Sequence, residues 1–381
     1  MDFRFTEEQE LLRNAFAEFA KEEIAPYAAK WDEEDYVPVE IVPKLGEMGI
    51  MGIFVPEEYG GAGLGHIERC IALEEIARYS TGLAIMVFTH HLGAAAILDY
   101  GSEEQKQKWL PGMCDGSCVC GLAVTEPGGG SDVAGIRTEA VLDGDMWTIN
   151  GRKCFITNSH CAGVTVVTCR SGEDEKGRAK MTTIAIETGT EGFAPGREEN
   201  KLGLKGSFTG ELVMDDVKVP VSNTIGEISR EMPITMKELG EVGRASMSAI
   251  ELGILRGCLE DAVKFSKERI LYGKQISKLQ AIQFKIAEIR CDYEAARLMT
   301  YNAAAMKDAG TVGAEFSMAK YFISEAAVRS AGKLIELMGG YGVVNEYDAG
   351  RYLRDAVACI PSCGTSEIQK MIIAGETLKK F

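Results

Sequence analysis

The feature that most constrains this chain is a double change of texture, from helical pattern to β pattern and back to helical. From Phe5 to about Leu110 apolar residues fall at helical spacing. Thr6 and Gln9 have capping-box spacing, and Leu11, Leu12, Phe16 and Phe19 follow them. Further apolar helices are expected over Ile67–Tyr79 and Gly82–Tyr100, separated from the first by a Gly60-Gly61-x-Gly63-x-Gly65 loop. That glycine spacing is not a dinucleotide fingerprint. From about Cys118 to Val219 glycines and β-branched residues gather, in short runs between turns such as Asp143-Gly144-Asp145 and Asn150-Gly151. Long helical stretches then return at Arg244–Leu271, Leu279–Ala309 and Ala314–Leu337, with a last helix opening near Thr365. The fold expected is α+β and multidomain. An N-terminal α-helical domain covers 1–117, a middle antiparallel β-barrel-like domain 118–233, and a C-terminal four-helix bundle 234–381.

Charge and cysteine usage narrow the function classes. The chain has 41 Lys+Arg against 57 Asp+Glu, a formal charge of −16. A nucleic-acid duplex or an anionic membrane would be repelled, although a small anion needs only one local basic pocket. No apolar run is read as reaching the ~18 residues of a membrane span. The start, MDFRFTEEQE, lacks the basic and apolar regions of a signal peptide, so a cytoplasmic protein is expected. Eleven dispersed cysteines suit reduced thiols better than a disulfide framework. Cys114, Cys118 and Cys120 lack metal-ligand spacing and histidine partners, and no metal is expected.

Four motifs carry more than composition does. The first is Leu122-Ala123-Val124-Thr125-Glu126-Pro127-Gly128-Gly129-Gly130-Ser131-Asp132-Val133, which alone reads as a glycine-rich turn after a strand. The second is Gly151-Arg152-Lys153-Cys154-Phe155-Ile156-Thr157-Asn158, alone a strand with an inward Phe. The third, Arg269-x-x-Tyr272-Gly273-x-x-Ile276-x-x-Leu279-Gln280-x-x-Gln283, would alone offer a solvated helix-end cation. The fourth is Glu336-Leu337-Met338-Gly339-Gly340-Tyr341-Gly342, followed by Arg351-x-x-Arg354-Asp355.

In this order, across the whole chain, the motifs resemble the acyl-CoA dehydrogenase family. The resemblance implies a non-covalent FAD contacted by Leu122, Val124, Thr125, Phe155, Thr157, Arg269, Tyr272, Gln280, Glu336, Gly340, Thr365 and Glu367. Arg269 and Gln280 would reach the FAD of a neighbouring subunit, where a guanidinium fork suits a pyrophosphate. It also implies a CoA thioester met by Ser131, Glu241, Arg244, Ala84, Phe88 and Gly364, a homotetramer, and electron exchange with an electron-transfer flavoprotein.

One expected residue is missing. The family usually places a catalytic Glu immediately before Gly-Thr at the final helix, where this chain has Cys363 before Gly364-Thr365. The family's other site for that Glu, immediately before the arginine matching Arg244, holds Gly243. Cys363 is either the base or a small apolar replacement that removes charge from the pocket; a thiol without a cationic partner is a poor base. His91 is the other catalytic candidate. Positions 84, 88, 91 and 95 form one helical stripe with the pocket-lining Ala84 and Phe88, and an ordinary imidazole titrates near neutrality. His90 should lie off that stripe. Loss of the α-carbon base suits a cyclic or unsaturated acyl group, for example 1,4-elimination on a cyclohexene-carbonyl thioester. An enoyl-CoA reductase driven by reduced electron-transfer flavoprotein is the second reading, and a catalytically silent flavin-binding subunit the third.

Overall fold

The computed structural model describes residues 4–230 and 232–380. Helix α1 (Glu7–Phe19) starts at the expected capping box: Gln9 N–H donates to Thr6 Oγ1 at 3.2 Å and Thr6 N–H to Gln9 Oε1 at 3.0 Å. Short helices α2 (Ala28–Glu34) and α3 (Ile41–Glu47) follow, then α4 (His66–Ala77), α5 (Thr81–Tyr100) and α6 (Glu103–Cys114). Ser80 caps α5 by accepting the Leu83 N–H. Helix α5 corrects one expectation. It has 20 residues and is long and apolar enough to cross a membrane by length and composition, but 94% of that stretch is buried within the protein. Its single acid near the end, Asp99, leaves the run before it uncharged. It is a core helix.

The middle region has strands β1 (Cys120–Ala123), β2 (Glu139–Asp143), β3 (Met146–Thr157), β4 (Val164–Glu173), β5 (Ala179–Glu187), β6 (Phe193–Glu198), β7 (Thr209–Pro220) and β8 (Thr224–Arg230). They form one sheet in the order β6-β7-β3-β2-β4-β5-β8, with β1 beside β4. The sheet is mixed rather than purely antiparallel, because β1 and β2 both run parallel to β4. Asn150-Gly151 is not a turn. It lies inside β3 at a bulge, where the Gly151 φ of 155° and close approach to Thr138 leave no room for a Cβ.

The third region opens with α7 (Ile234–Glu238), passes through a π-helical turn at Leu239–Gly243, and continues as α8 (Arg244–Glu268). Helices α9 (Gln280–Asp308), α10 (Glu315–Met338), α11 (Ala349–Cys359) and α12 (Ser366–Lys380) complete it. Helix α8 stops before Arg269, shorter than expected. Tyr272 and Gly273, with φ of 52° and 73°, make the tight turn of a two-residue hairpin that pairs Ile270–Leu271 with Lys274–Gln275. Helix α4 packs against α8 and α9, so the first region contributes a helix to the bundle. One apolar core runs through both helical regions, with a separate cluster inside the sheet.

Candidate active site

The first two motifs are stitched together at the sheet. Cys154 N–H donates to Thr125 O at 3.0 Å, and the buried Lys153 ammonium reaches Val124 O at 3.0 Å and Glu126 Oε1 at 2.8 Å. Asn158, at a positive φ of 66°, ends β3 and ties it to α5 by donating to Met86 O and Cys120 O, both at 3.0 Å. This ties Thr125 to β3, which carries Phe155 and Thr157, and the end of β3 to α5. Phe155 is 64% exposed, unusual for a strand Phe, while Leu122 and Val124 are buried. Exposed aromatic area beside ordered backbone suits a flat ring system. Ser131 is exposed in the glycine-rich turn.

Arg269 and Gly340 occupy a different place. They line a cavity of about 450 Å³ with Phe265, Leu271, Leu337 and Tyr341, and no residue of the large middle sheet is among its lining. The Arg269 guanidinium lies 5.2 Å from the Tyr341 ring centroid and has no carboxylate within 4 Å among the described residues. A Cβ on Gly340 would meet nothing within 4 Å, so that backbone is open to an approaching ligand. Tyr272 is 90% exposed at the hairpin tip, Gln280 is exposed at the α9 start, and Glu336 pairs with Lys285. The Arg269 cavity and the Thr125–Phe155 region share no lining residue.

The third place is the turn between α11 and α12. Lys320, fully buried, donates to Cys359 O at 3.0 Å and Ile360 O at 2.8 Å, while Gln369 Nε2 donates to Cys363 O and Gly364 O, both at 3.0 Å. Held from both sides, Cys363 and Gly364 take left-handed conformations with φ of 55° and 96°. Thr365 Oγ1 accepts the Ile368 N–H at 3.4 Å, and Glu367 points outward, 76% exposed. A Cβ built on Gly243 would lie 3.3 Å from Cys363 Sγ and 3.6 Å from Leu92 Cδ2. The two positions at which the family resemblance places a carboxylate thus adjoin one volume, and this chain has none at either. Burial pushes the Cys363 thiol up to about 12, outweighing the pull of Lys320 and Arg244. It keeps its proton at neutral pH.

Ala84 and Phe88 are buried on α5, as are most residues of that helix, and Arg244 is half-buried with Nε unpartnered among the described residues. Glu241 pairs with Lys307 at 2.7 Å. His90 is fully satisfied: Nε2–H donates to Met51 O at 3.2 Å and Nδ1 accepts the Cys120 N–H at 3.0 Å. His91 Nε2–H donates to Ile50 O at 2.8 Å, leaving Nδ1 as a buried acceptor without a partner. Burial, then His90 and Arg69, push the His91 pKa well below its ordinary value. It is neutral.

Two polar residues outside every motif share this region. Arg69 and Glu238 are both fully buried, and neither Glu238 oxygen has a hydrogen-bond partner among the described residues. Burial and Asp99 raise the Glu238 pKa to about 7. The sequence signal for Arg69 is spacing: it stands one and two helical turns before Leu73 and Ile76, on the core face of an apolar helix.

The three regions correspond to known sequence profiles: residues 6–117 match the acyl-CoA dehydrogenase N-terminal domain, 121–217 the middle domain and 232–378 the C-terminal domain. The chain belongs to the acyl-CoA dehydrogenase family. It is 39% identical to an acyl-CoA dehydrogenase of Bacillus subtilis over 97% of both chains. It is 38% identical to the acryloyl-CoA reductase (NADH) of Anaerotignum propionicum, covering 100% of this chain and 97% of that one. Its fold matches butyryl-CoA dehydrogenase from Megasphaera elsdenii with a TM-score of 0.96 at 35% identity, covering 99% of this chain and all of that one. The protein is an FAD-dependent oxidoreductase acting on the CH–CH bonds of CoA esters. The open Gly340 backbone, unpaired Arg269 and exposed Phe155 fit that cofactor.

Proposed function

We propose that the chain reduces the conjugated double bond of a 2-enoyl-CoA thioester, receiving electrons from an electron-transfer flavoprotein. The observation that carries this is the pair of neutral groups standing where a carboxylate base is expected: a thiol that keeps its proton to about 12 and an imidazole pushed well below its ordinary pKa. Neither is poised to take an α proton, whereas the Cys363 thiol holds one to give. Bound FAD supplies the electron pair. Leu122, Val124, Thr125, Phe155 and Thr157 hold its ring, with Thr365 and Glu367 at the ring's far side. Arg269, Tyr272, Gln280, Glu336 and Gly340 serve the FAD of a neighbouring subunit, a reading supported by a cavity at Arg269 and Gly340 that no residue of the large sheet lines, and the assembly is a homotetramer. Ser131, Glu241, Arg244 and Gly364 hold the CoA ester, with Ala84 and Phe88 along the acyl group. Residues 1–117, 118–233 and 234–381 act as three domains, and eleven unpaired cysteines suit a reducing cytoplasm.

A second reading is favoured by the free His91 Nδ1: proton abstraction from a cyclic or unsaturated acyl group, as in 1,4-elimination on a cyclohexene-carbonyl thioester. Anaerobic mixing with oxidised and reduced protein separates the readings. Conjugated enoyl-CoA should reoxidise the reduced flavin, and straight-chain saturated acyl-CoA should bleach the oxidised flavin at least ~100-fold faster in Cys363→Glu than in the parent. Equal bleaching in both would overturn the role of position 363. Bleaching by cyclohexene-carbonyl-CoA that falls ~10²–10⁴-fold in His91→Ala, but little in His90→Ala, would establish the second reading instead. Silence toward every thioester in both directions would leave a flavin-binding subunit.

A further inference from the structure

The buried Lys and Arg side chains among the described residues are Arg69, Arg78, Lys153, Lys320 and Arg351. Four have a carboxylate in contact: Glu260 with Arg78 at 2.7 Å, Glu126 with Lys153 at 2.8 Å, Glu251 with Lys320 at 3.8 Å, and Asp348 with Arg351 at 3.0 Å. Arg69 has none within 4 Å, though Asp308 and Glu238 act on it through space. Its Nη2 reaches Val242 O at 3.4 Å and the Cys70 thiol interacts with the group, while Nε and Nη1 have no hydrogen-bond partner within range among the described residues. A guanidinium cannot shed its charge, and burying it without a contacting anion is costly.

Arg69 is also part of a cluster. Its guanidinium lies 5.8 Å from the Phe54 ring centroid, and around the same ring His66 and His91 lie at 5.8 Å and 5.5 Å. Nδ1 of each histidine is buried without a partner. Four orphaned polar atoms from three side chains surround one ring, where a packed core would show apolar atoms. The cluster adjoins the reaction site. The carbonyl that Arg69 touches belongs to Val242, next to Gly243, whose Cβ position is 3.3 Å from Cys363 Sγ.

We propose that Arg69 binds a carboxylate at the far end of the acyl group, so that the preferred ligands are CoA monothioesters of dicarboxylic acids. This rests on the acyl group lying beside Cys363, as in the function proposed above. The substrate supplies the counter-ion that the protein withholds, and the two imidazoles give that end of the pocket polar walls. A methyl-ended chain would leave the guanidinium buried and unpaired, which sets the direction of selectivity.

Titration calorimetry on the FAD-loaded protein tests it, comparing succinyl-, glutaryl- and adipyl-CoA with butyryl-, pentanoyl- and hexanoyl-CoA. At the best-fitting length the carboxylate-ended thioester should bind on the order of 10- to 100-fold more tightly, and Arg69→Met should abolish that preference. Thermal unfolding adds a readout free of ligand: removing an unpaired buried charge should leave Tm of Arg69→Met unchanged or higher. Equal binding of both series by the parent, or a lowered Tm in Arg69→Met with the preference intact, would overturn the assignment. Failure of every thioester to bind would instead remove the acyl-CoA reading and this inference with it.

Discussion

Lys320 and Arg69 are both fully buried cations in the helical part of the molecule, yet they are built differently. The Lys320 ammonium donates to Ser324 Oγ at 2.9 Å and to two carbonyls of the α11 end, with Glu251 at 3.8 Å. Every proton it carries has an acceptor, and Ser324 in turn donates to Glu251 Oε1 at 2.6 Å, while Glu251 Oε2 has no hydrogen-bond partner among the described residues. Arg69 leaves two of its nitrogens without any. A buried cation with every donor taken holds backbone in place; one with free donors can take a ligand. Lys320 fixes the turn that presents Cys363, and Arg69 bonds the carbonyl of Val242, next to Gly243.

That contrast can be broken in order of expected effect. Lys320→Met should be the most damaging, since it strands Glu251 and two carbonyls in the core; a loss of ~3–5 kcal/mol is expected in denaturant unfolding. Activity lost with stability unchanged would contradict the positioning role. Glu238→Gln comes next. Its folded pKa, raised to about 7 from an ordinary 4.5, means the carboxyl contributes stability below about 4.5 that is lost as pH rises through 7. By pH 8 this amounts to about 3 kcal/mol, so the variant's stability should fall less across that window than the parent's. Parallel pH–stability curves would show that Glu238 is not held in its neutral form. The smallest effect belongs to Gln369→Leu, which frees the Cys363 and Gly364 carbonyls. A cost of ~1–2 kcal/mol is expected, with a larger proportional drop in turnover than in FAD content. An unchanged turnover would mean that Lys320 alone sets the turn.

Much of this was legible from residues in order. The capping box at Thr6, the bounds of α9 and α10, and the motifs that carry the family are local patterns, and local patterns are written in sequence. What was not legible is non-local. The parallel pairing of β1 with β4 depends on which strands meet across 40 residues of chain, and no spacing encodes it. The Asn150-Gly151 pair looks like a turn and serves as a bulge because β7 pairs with the strand on both sides of it. His91 was visible as a stripe position, but its tie to Ile50 O and its loss of basicity come from packing against α3's following loop and Arg69. Arg69 itself was hidden by its neighbours: within an apolar helix one cation reads as an edge, and only its burial reveals a guanidinium with no carboxylate within 4 Å among the described residues.

The π-helical turn at Leu239–Gly243 has a consequence for phase. It holds one residue more than an α-turn would, and each helical residue is worth about 100° of rotation. The face that α7 turns inward is therefore set by that surplus residue and not by the periodicity of α8. Without it, Glu238 would swing about 100° from its burial against the same bundle. A single-residue change in length would retune the pocket as a whole, in the way that shifting one tooth re-times a gear train, with every side chain chemically unaltered.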